Sequence, residues 1–212
     1  MMITPAESPS FTVIGQTPWE ELEPMLREVT LLGQPDTRPY ANATISIERF
    51  RLSELASTTR YVEEELLSVQ GLIRASLLPQ GYDQLDLREG GVVIDGGEGP
   101  KRIIPPIVER FEPDGTHKYI LDGSHRAQLA RQVGEQAGED DPELTVVYVR
   151  DGITHPPYAR PNLWEEVKIL AERPGDKSTW KNYRDFPNRY ALYRDYSHIV
   201  DSAPRGLDNG KQ

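Results

Sequence analysis

Tyr119-Ile120-Leu121-Asp122-Gly123-Ser124-His125-Arg126 is the stretch that decides the fold, and Ala127, Leu129, Ala130 and Val133 follow it at helical spacing. An apolar run that ends in Asp-Gly and passes straight into a helical pattern is a strand, a turn and a helix. A carboxylate, a hydroxyl, an imidazole and a guanidinium then meet at the strand's end. The first N–H groups of a helix lack intrahelical acceptors, and its N-terminus carries roughly half a positive charge. Anions bind at such ends, and the fork of Arg126 suits phosphate oxygens. Gly123 lets the backbone approach a ligand closely, and Asp122 is placed to hold Mg²⁺ or accept a proton. The same residues also fit a plain helix start, with Asp122 as N-cap and His125 and Arg126 solvated. The residues alone leave both readings open.

Outward from this junction, two apolar runs at 103–111 and 119–122 flank the turn Glu112-Pro113-Asp114-Gly115 and predict a hairpin. The helix is predicted from Ala127 to about Gln136, and residues 144–149 read as a buried strand. Upstream, residues 43–50 alternate apolar and polar as a half-buried strand does. Val62, Leu66, Val69 and Ile73 then fall at helical spacing, which puts Glu63, Glu64 and Glu65 on an exposed face. Residues 79–100, rich in Gly and Asp, predict a long excursion with one hairpin.

The domain thus predicted spans 43–150. Before it lies an N-terminal arm, residues 1–42, in which Thr17 reads as an N-cap and Pro18 as the first helical position. Trp19, Leu22, Met25 and Leu26 supply the apolar stripe, and the arm is expected to pack on the core or on the second subunit of a homodimer. After it, an extension over 151–200 is predicted to carry a helix at about 162–172 and an aromatic segment at 180–196; residues 201–212 read as a disordered tail.

Composition limits the chemistry. The 212 residues hold 24 Lys+Arg against 34 Asp+Glu, a formal net charge of −10, and no cysteine. Disulfides, thiolate zinc sites and cysteine nucleophiles are therefore excluded. The acidic balance disfavours a broad grip on nucleic acid, which needs clustered Lys and Arg. No run of about 18 apolar residues exists to span a membrane. The first residues lack the basic and apolar regions of a secretory signal, so a cytoplasmic protein is expected. The four histidines show no metal-ligand spacing, and Gly96-Gly97-Glu98-Gly99-Pro100-Lys101 is no Walker A loop.

The stretch from Pro105 to Gly134, with its strand, DG turn, second strand and D-G-x-H-R box, resembles the ParB/sulfiredoxin-like family. Residues 45–75 are similar to that family's first strand and helix, so the resemblance covers about 45–150. It implies an α/β (α+β) domain with a small mixed sheet and flanking helices that cradles a nucleotide. Sulfiredoxins carry a cysteine where this chain has Ser124, which excludes their chemistry here. ParB clamps need a helix-turn-helix region and usually a dimerisation tail, and only about 60 acidic-chain residues follow Val149.

The box looks most like that of free-serine kinases. That resemblance implies an ATP- or ADP-dependent, Mg²⁺-requiring phosphotransferase acting on serine or a similar small hydroxyl-bearing metabolite. Asp122 would hold the metal or orient the hydroxyl, and Gly123, Ser124, His125 and Arg126 would hold phosphates. Those kinases place a glutamate base just before the first helix, where a gapless alignment puts Thr59; Glu63 or Glu64, about one turn later, are the substitutes. The competing expectation is a non-catalytic, nucleotide-dependent DNA-binding or regulatory protein.

Residues 179–194 interleave basic and aromatic side chains. Three readings fit them: a stacking strip for single-stranded nucleic acid; a helix starting near Pro187 that packs Tyr190, Leu192 and Tyr193 on the domain and leaves Arg189 and Arg194 solvated; or Lys181 or Arg184 reaching the nucleotide pocket.

Overall fold

The computed structural model describes residues 10–172, 174–175, 180–184 and 189–200. β1 (Thr12–Pro18) runs into α1 (Trp19–Arg27) and β2 (Thr30–Leu31). β3 (Thr44–Arg51), β4 (Leu55–Ser57) and β5 (Tyr61–Glu63) precede α2 (Glu64–Leu77). β6 (Gly90–Asp95), β7 (Pro100–Ile103), β8 (Ile107–Glu109) and β9 (Lys118–Asp122) lead to α3 (Ser124–Ala137). β10 (Glu143–Arg150), β11 (Lys168–Leu170), β12 (Arg194–Asp195) and α4 (Ser197–Val200) follow.

The central sheet has the order β3-β10-β8-β9-β4. It is mixed: β10 pairs antiparallel with β3 and parallel with β8, β8 pairs antiparallel with β9, and β9 pairs parallel with β4. Both faces are covered, which is why β10 reads as a continuous apolar run rather than an alternation. Leu144, Val146 and Tyr148 pack with Leu67 of α2 and Ala127 and Leu129 of α3. On the other face Val147 and Val149 meet Leu22 and Leu26 of α1. The architecture is α+β, as the sequence predicts, and among the described residues no helix is long and apolar enough to cross a membrane.

Several boundaries differ from expectation, most of them because strand pairing overrode a local pattern. Thr17 does not cap α1. It lies in β1 opposite Gly91 of β6, and the helix starts at Trp19 after an extended Pro18 (φ −63°, ψ 161°). Val62 is not helical either: β5 pairs in parallel with β11, so α2 starts at Glu64 and buries Leu67, Ile73 and Leu77. The same pairing replaces the helix predicted at about 162–172 with a 3-10 turn, Trp164–Glu166, and β11. α3 starts three residues earlier than predicted, at Ser124. The predicted excursion hairpin is β6–β7, with β1 added as a third strand. Pro187 and residues 201–212 lie outside the described residues; Arg189–Leu192 form a 3-10 turn.

Arg194 is not solvated but completely buried, and so is its partner Glu109 at the end of β8. Its Nε and Nη2 donate to the two carboxylate oxygens at 2.7 and 2.9 Å. Its remaining N–H groups reach the carbonyls of His155, Pro156 and Leu192, so every donor of the guanidinium is used. Tyr40 also donates to Glu109, and its hydroxyl lies 2.7 Å from that of Tyr196. Burial works against the charge on Arg194, but Glu109 more than offsets it and holds the guanidinium above its ordinary value. Burial pushes Glu109 up, and the charge of Arg194 and the hydroxyl of Tyr40 oppose that rise. Burial, reinforced by Glu109, pushes Tyr40 well above its ordinary value, so it stays a donor.

Removing one member of this pair leaves a buried charge without a partner. Arg194→Met is expected to cost about 3–5 kcal/mol, read as a lower urea midpoint, whereas Glu109→Leu with Arg194→Met should recover most of that loss.

The turn that delivers β4 is held by surface carboxylates. Glu54 accepts the Arg51 N–H and a hydrogen bond from Lys118; the Arg51 bond leads in holding it below its ordinary value, against a smaller effect of burial. Asp141 accepts the hydroxyl and N–H of Ser53 and is likewise held low, the hydroxyl leading. With folded values below the unfolded ones, their stabilisation is complete above about pH 4 and is lost as pH falls through the folded values. Glu54→Gln with Asp141→Asn should therefore flatten the fall of the urea midpoint between about pH 5 and 2; an unchanged acid limb would contradict this.

Candidate functional site

The site is built at the carboxyl ends of two adjacent parallel strands, β4 and β9. β9 ends at Asp122 and the chain turns through Gly123, whose φ of 95° lies in the left-handed region that glycine tolerates best. Gly123 is also required for space, since a Cβ there would stand 2.6 Å from Cβ of Pro106. Gly123, not Asp122, is the N-cap of α3, and no side chain caps that helix. Ser124, His125 and Arg126 form its first turn.

The start of α2 meets this turn. The backbone N–H of Glu63 donates to Nε2 of His125 at 3.1 Å, so the ring proton sits on Nδ1 in this arrangement. Glu63 is the N-cap of α2, again without a side-chain cap bond. Two helix N-termini, neither covered by a capping side chain, therefore converge at one point. Glu63 is half-buried beside His125, and Glu64 is exposed. Thr59 is bound elsewhere: its hydroxyl donates to the carbonyls of Tyr61 at 2.8 Å and Trp180 at 3.3 Å.

Asp122 and Arg126 form an i,i+4 ion pair at 3.0 Å. Arg126 is buried, and its other Nη group donates to the carbonyl of Ile104. The solvated helix start weighed from sequence is thus not what forms: Arg126 is buried and His125 half-buried. Oδ1 of Asp122 takes no hydrogen bond from the described residues, and its side chain remains 24% exposed. Among the described residues no three His, Asp or Glu side chains group to hold a metal by themselves. A magnesium ion fits here only as one shared between Asp122 and a ligand's phosphates, which is how Mg²⁺ commonly binds nucleotides. A groove of about 280 Å³ runs between α2 and α3, lined by Glu64, Leu67, Ser68 and Gly71 on one side and Leu129 and Gln132 on the other.

Behind β9 a second polar group escaped the sequence analysis. Thr58, one residue past β4, donates to the carbonyl of Ile120 at 2.7 Å, and Tyr158 lies 2.9 Å from the Thr58 hydroxyl. The only hint was the polar triplet Ser57-Thr58-Thr59 directly after an apolar strand. Three basic residues of the aromatic segment turn inward: Lys181 to the Tyr158 hydroxyl, Arg184 to Asp114, Arg194 to Glu109. Tyr183 and Tyr193 pack with Tyr119, Leu121 and Tyr158.

Gly123→Ala combines an unfavourable φ with the clash on Pro106. It is expected to lower the unfolding free energy by about 2 kcal/mol or more, measured by urea denaturation, whereas Gly81→Ala, with open space around it, should lose only the conformational part.

No curated protein and no solved structure matches the chain. A family model, described as the ParB CE domain, matches residues 21–168, more than half of the sequence and the whole of the region from α2 through β10. The chain belongs to the ParB CE domain family.

Proposed function

We propose that the protein is a cytoplasmic, nucleotide-dependent phosphotransferase whose acceptor is the hydroxyl of free serine or a similar small metabolite. The observation that carries this is the convergence of the two helix N-termini at the Glu63 N–H to His125 contact, with Glu63 at the start of one helix and Asp122 directly before the N-cap of the other. Phosphoryl transfer asks mainly for positioning and for fixed dipoles aimed at phosphate oxygens. The backbone N–H groups of Gly123 to His125 and of the first turn of α2 supply such dipoles. The groove between α2 and α3 begins at Glu64 of that first turn and would take the nucleoside.

The α2 boundary bears on the base. Serine kinases carry their glutamate just before the first helix, and here the helix starts one residue after Glu63. Glu63 rather than Thr59 or Glu64 therefore fits that role. Glu63 would take the proton from the acceptor hydroxyl as its oxygen bonds to the terminal phosphorus. The bond from phosphorus to the bridging oxygen breaks, and the shortened nucleotide leaves. Asp122, through its unbonded oxygen, would hold magnesium, which neutralises phosphate charge when bound. Arg126 fixes the orientation of Asp122.

The test is transfer from ATP, ADP and CTP to serine and threonine, read by mass. Glu63→Gln should keep nucleotide affinity and lose at least about 100-fold in turnover, whereas Glu64→Gln should stay within a few-fold of wild type. No phosphorylated product with any donor, together with salt-sensitive DNA retention, would replace the enzyme with a nucleotide-dependent binding protein.

A further inference from the structure

The central sheet has two edges, and the fold treats them differently. β4 is only three residues long and is covered: Ser57 and Asn162 exchange N–H to carbonyl bonds there at 3.0 and 2.8 Å. β3, at the other edge, runs for eight residues, and no strand of the described residues pairs with it on its outer side. Val147 donates its N–H to the Pro106 carbonyl and Val149 accepts that of Arg110, so both turn their backbone polar groups away from β3. Their antiparallel partners Ile47 and Ile45 therefore turn theirs away from β10, toward the open edge.

Exposed edges are usually blunted by lysine, proline, a bulge or shortness. β3 has none of these. It contains neither residue, its register with β10 is unbroken, and its first half, Thr44 to Ile47, carries no charge. Ile45, Ser46 and Ile47 of that half line a cleft of about 560 Å³. Its other walls are Pro18 to Glu20, where β1 passes into α1, and Arg88 to Glu89, just before β6. The charges around the cleft are one-sided. Arg88 is held by Asp86, and Arg49 by Glu143, each at 2.7 Å. Glu20 and Glu89 form no ion pair with a described residue, and Glu48 accepts only the hydroxyl of Ser46.

We propose that the free edge of β3 is a docking site for an extended, basic segment of another protein, which adds to the central sheet as a sixth strand. Its backbone pairs with Ile45 and Ile47, its apolar side chains meet those residues and Trp19, and its Lys or Arg side chains meet Glu20, Glu48 and Glu89. Strand addition of this kind takes affinity from main-chain hydrogen bonds and specificity from alternate side chains. A second copy of this chain is the wrong occupant, because it brings its own net charge of −10 against the same carboxylates. The inference is independent of the nucleotide reading.

The experiment is selection on the full chain from a displayed library of random heptapeptides, followed by fluorescence titration of the strongest binder. The wild type should enrich sequences that alternate Lys or Arg with Val, Ile or Thr. Ile47→Pro removes an outward N–H that β10 does not use, and it should weaken that binder at least about 10-fold. Glu20→Lys with Glu89→Lys, at two exposed positions, should weaken it about 10-fold at low salt and less at high salt. If Ile47→Pro fails to fold, this surface variant decides. Enrichment of no basic sequence, or unchanged affinity in the charge-reversed variant, overturns the inference. So does a dimer in sedimentation that Ile47→Pro dissociates, since the edge then belongs to a second copy.

Discussion

The bidentate contact between Glu109 and Arg194 governs how the molecule closes. Both side chains are removed from water completely, a cost of several kcal/mol per ion unless each charge is matched and each lone pair and proton is used. The surroundings meet that condition. Tyr40 from the N-terminal arm, Glu109 from the central sheet and Arg194 with Tyr196 from the C-terminal segment form one group, and the carbonyls of 155, 156 and 192 absorb the remaining donors. Three regions that sequence alone divides into arm, domain and extension are thereby joined through a single charge pair. Beside it β12 pairs with β2, and Leu32 donates its N–H to the carbonyl of Tyr193 at 2.8 Å.

The candidate site is organised differently. The starts of α2 and α3 bring backbone N–H dipoles together beside the buried Arg126, in a chain with a net charge of −10. Dipoles of this kind are fixed by the fold and need no reorganisation when a charged ligand arrives. They are also exposed to the fold's errors. A shift of α2 along its axis would move Glu63 off His125 and separate the two helix ends, so the short parallel pair of β5 and β11 has a role larger than its three residues suggest.

Much of this was legible beforehand. The hairpin of β8 and β9, the turn at Asp122-Gly123 and the helix after it follow from apolar runs, a Pro-Asp-Gly turn and helical spacing, all local signals. The left-handed Gly123 and the burial of β10 on both faces are consistent with them. What could not be read was set by partners distant in sequence. Val62 looks helical until β11, about a hundred residues later, draws it into a strand; Thr17 looks like a cap until β6 pairs with it. Arg194 looked solvated because its carboxylate partner lies 85 residues earlier. Thr58 and Tyr158 were missed for the same reason, since a threonine after a strand and a tyrosine beside prolines announce nothing without the fold that joins them.

The pairing of β2 with β12 has a consequence for how the protein is made. Synthesis runs from the N-terminus, and domains tend to fold as their residues emerge. Here the first turns of the chain wait for almost the last described ones, and contacts so far apart in sequence slow the search for the native state. A nascent chain that has released β8 but not residue 194 holds a carboxylate destined for the interior with no cation to meet it, so that hairpin stays open to water until residue 194 has emerged.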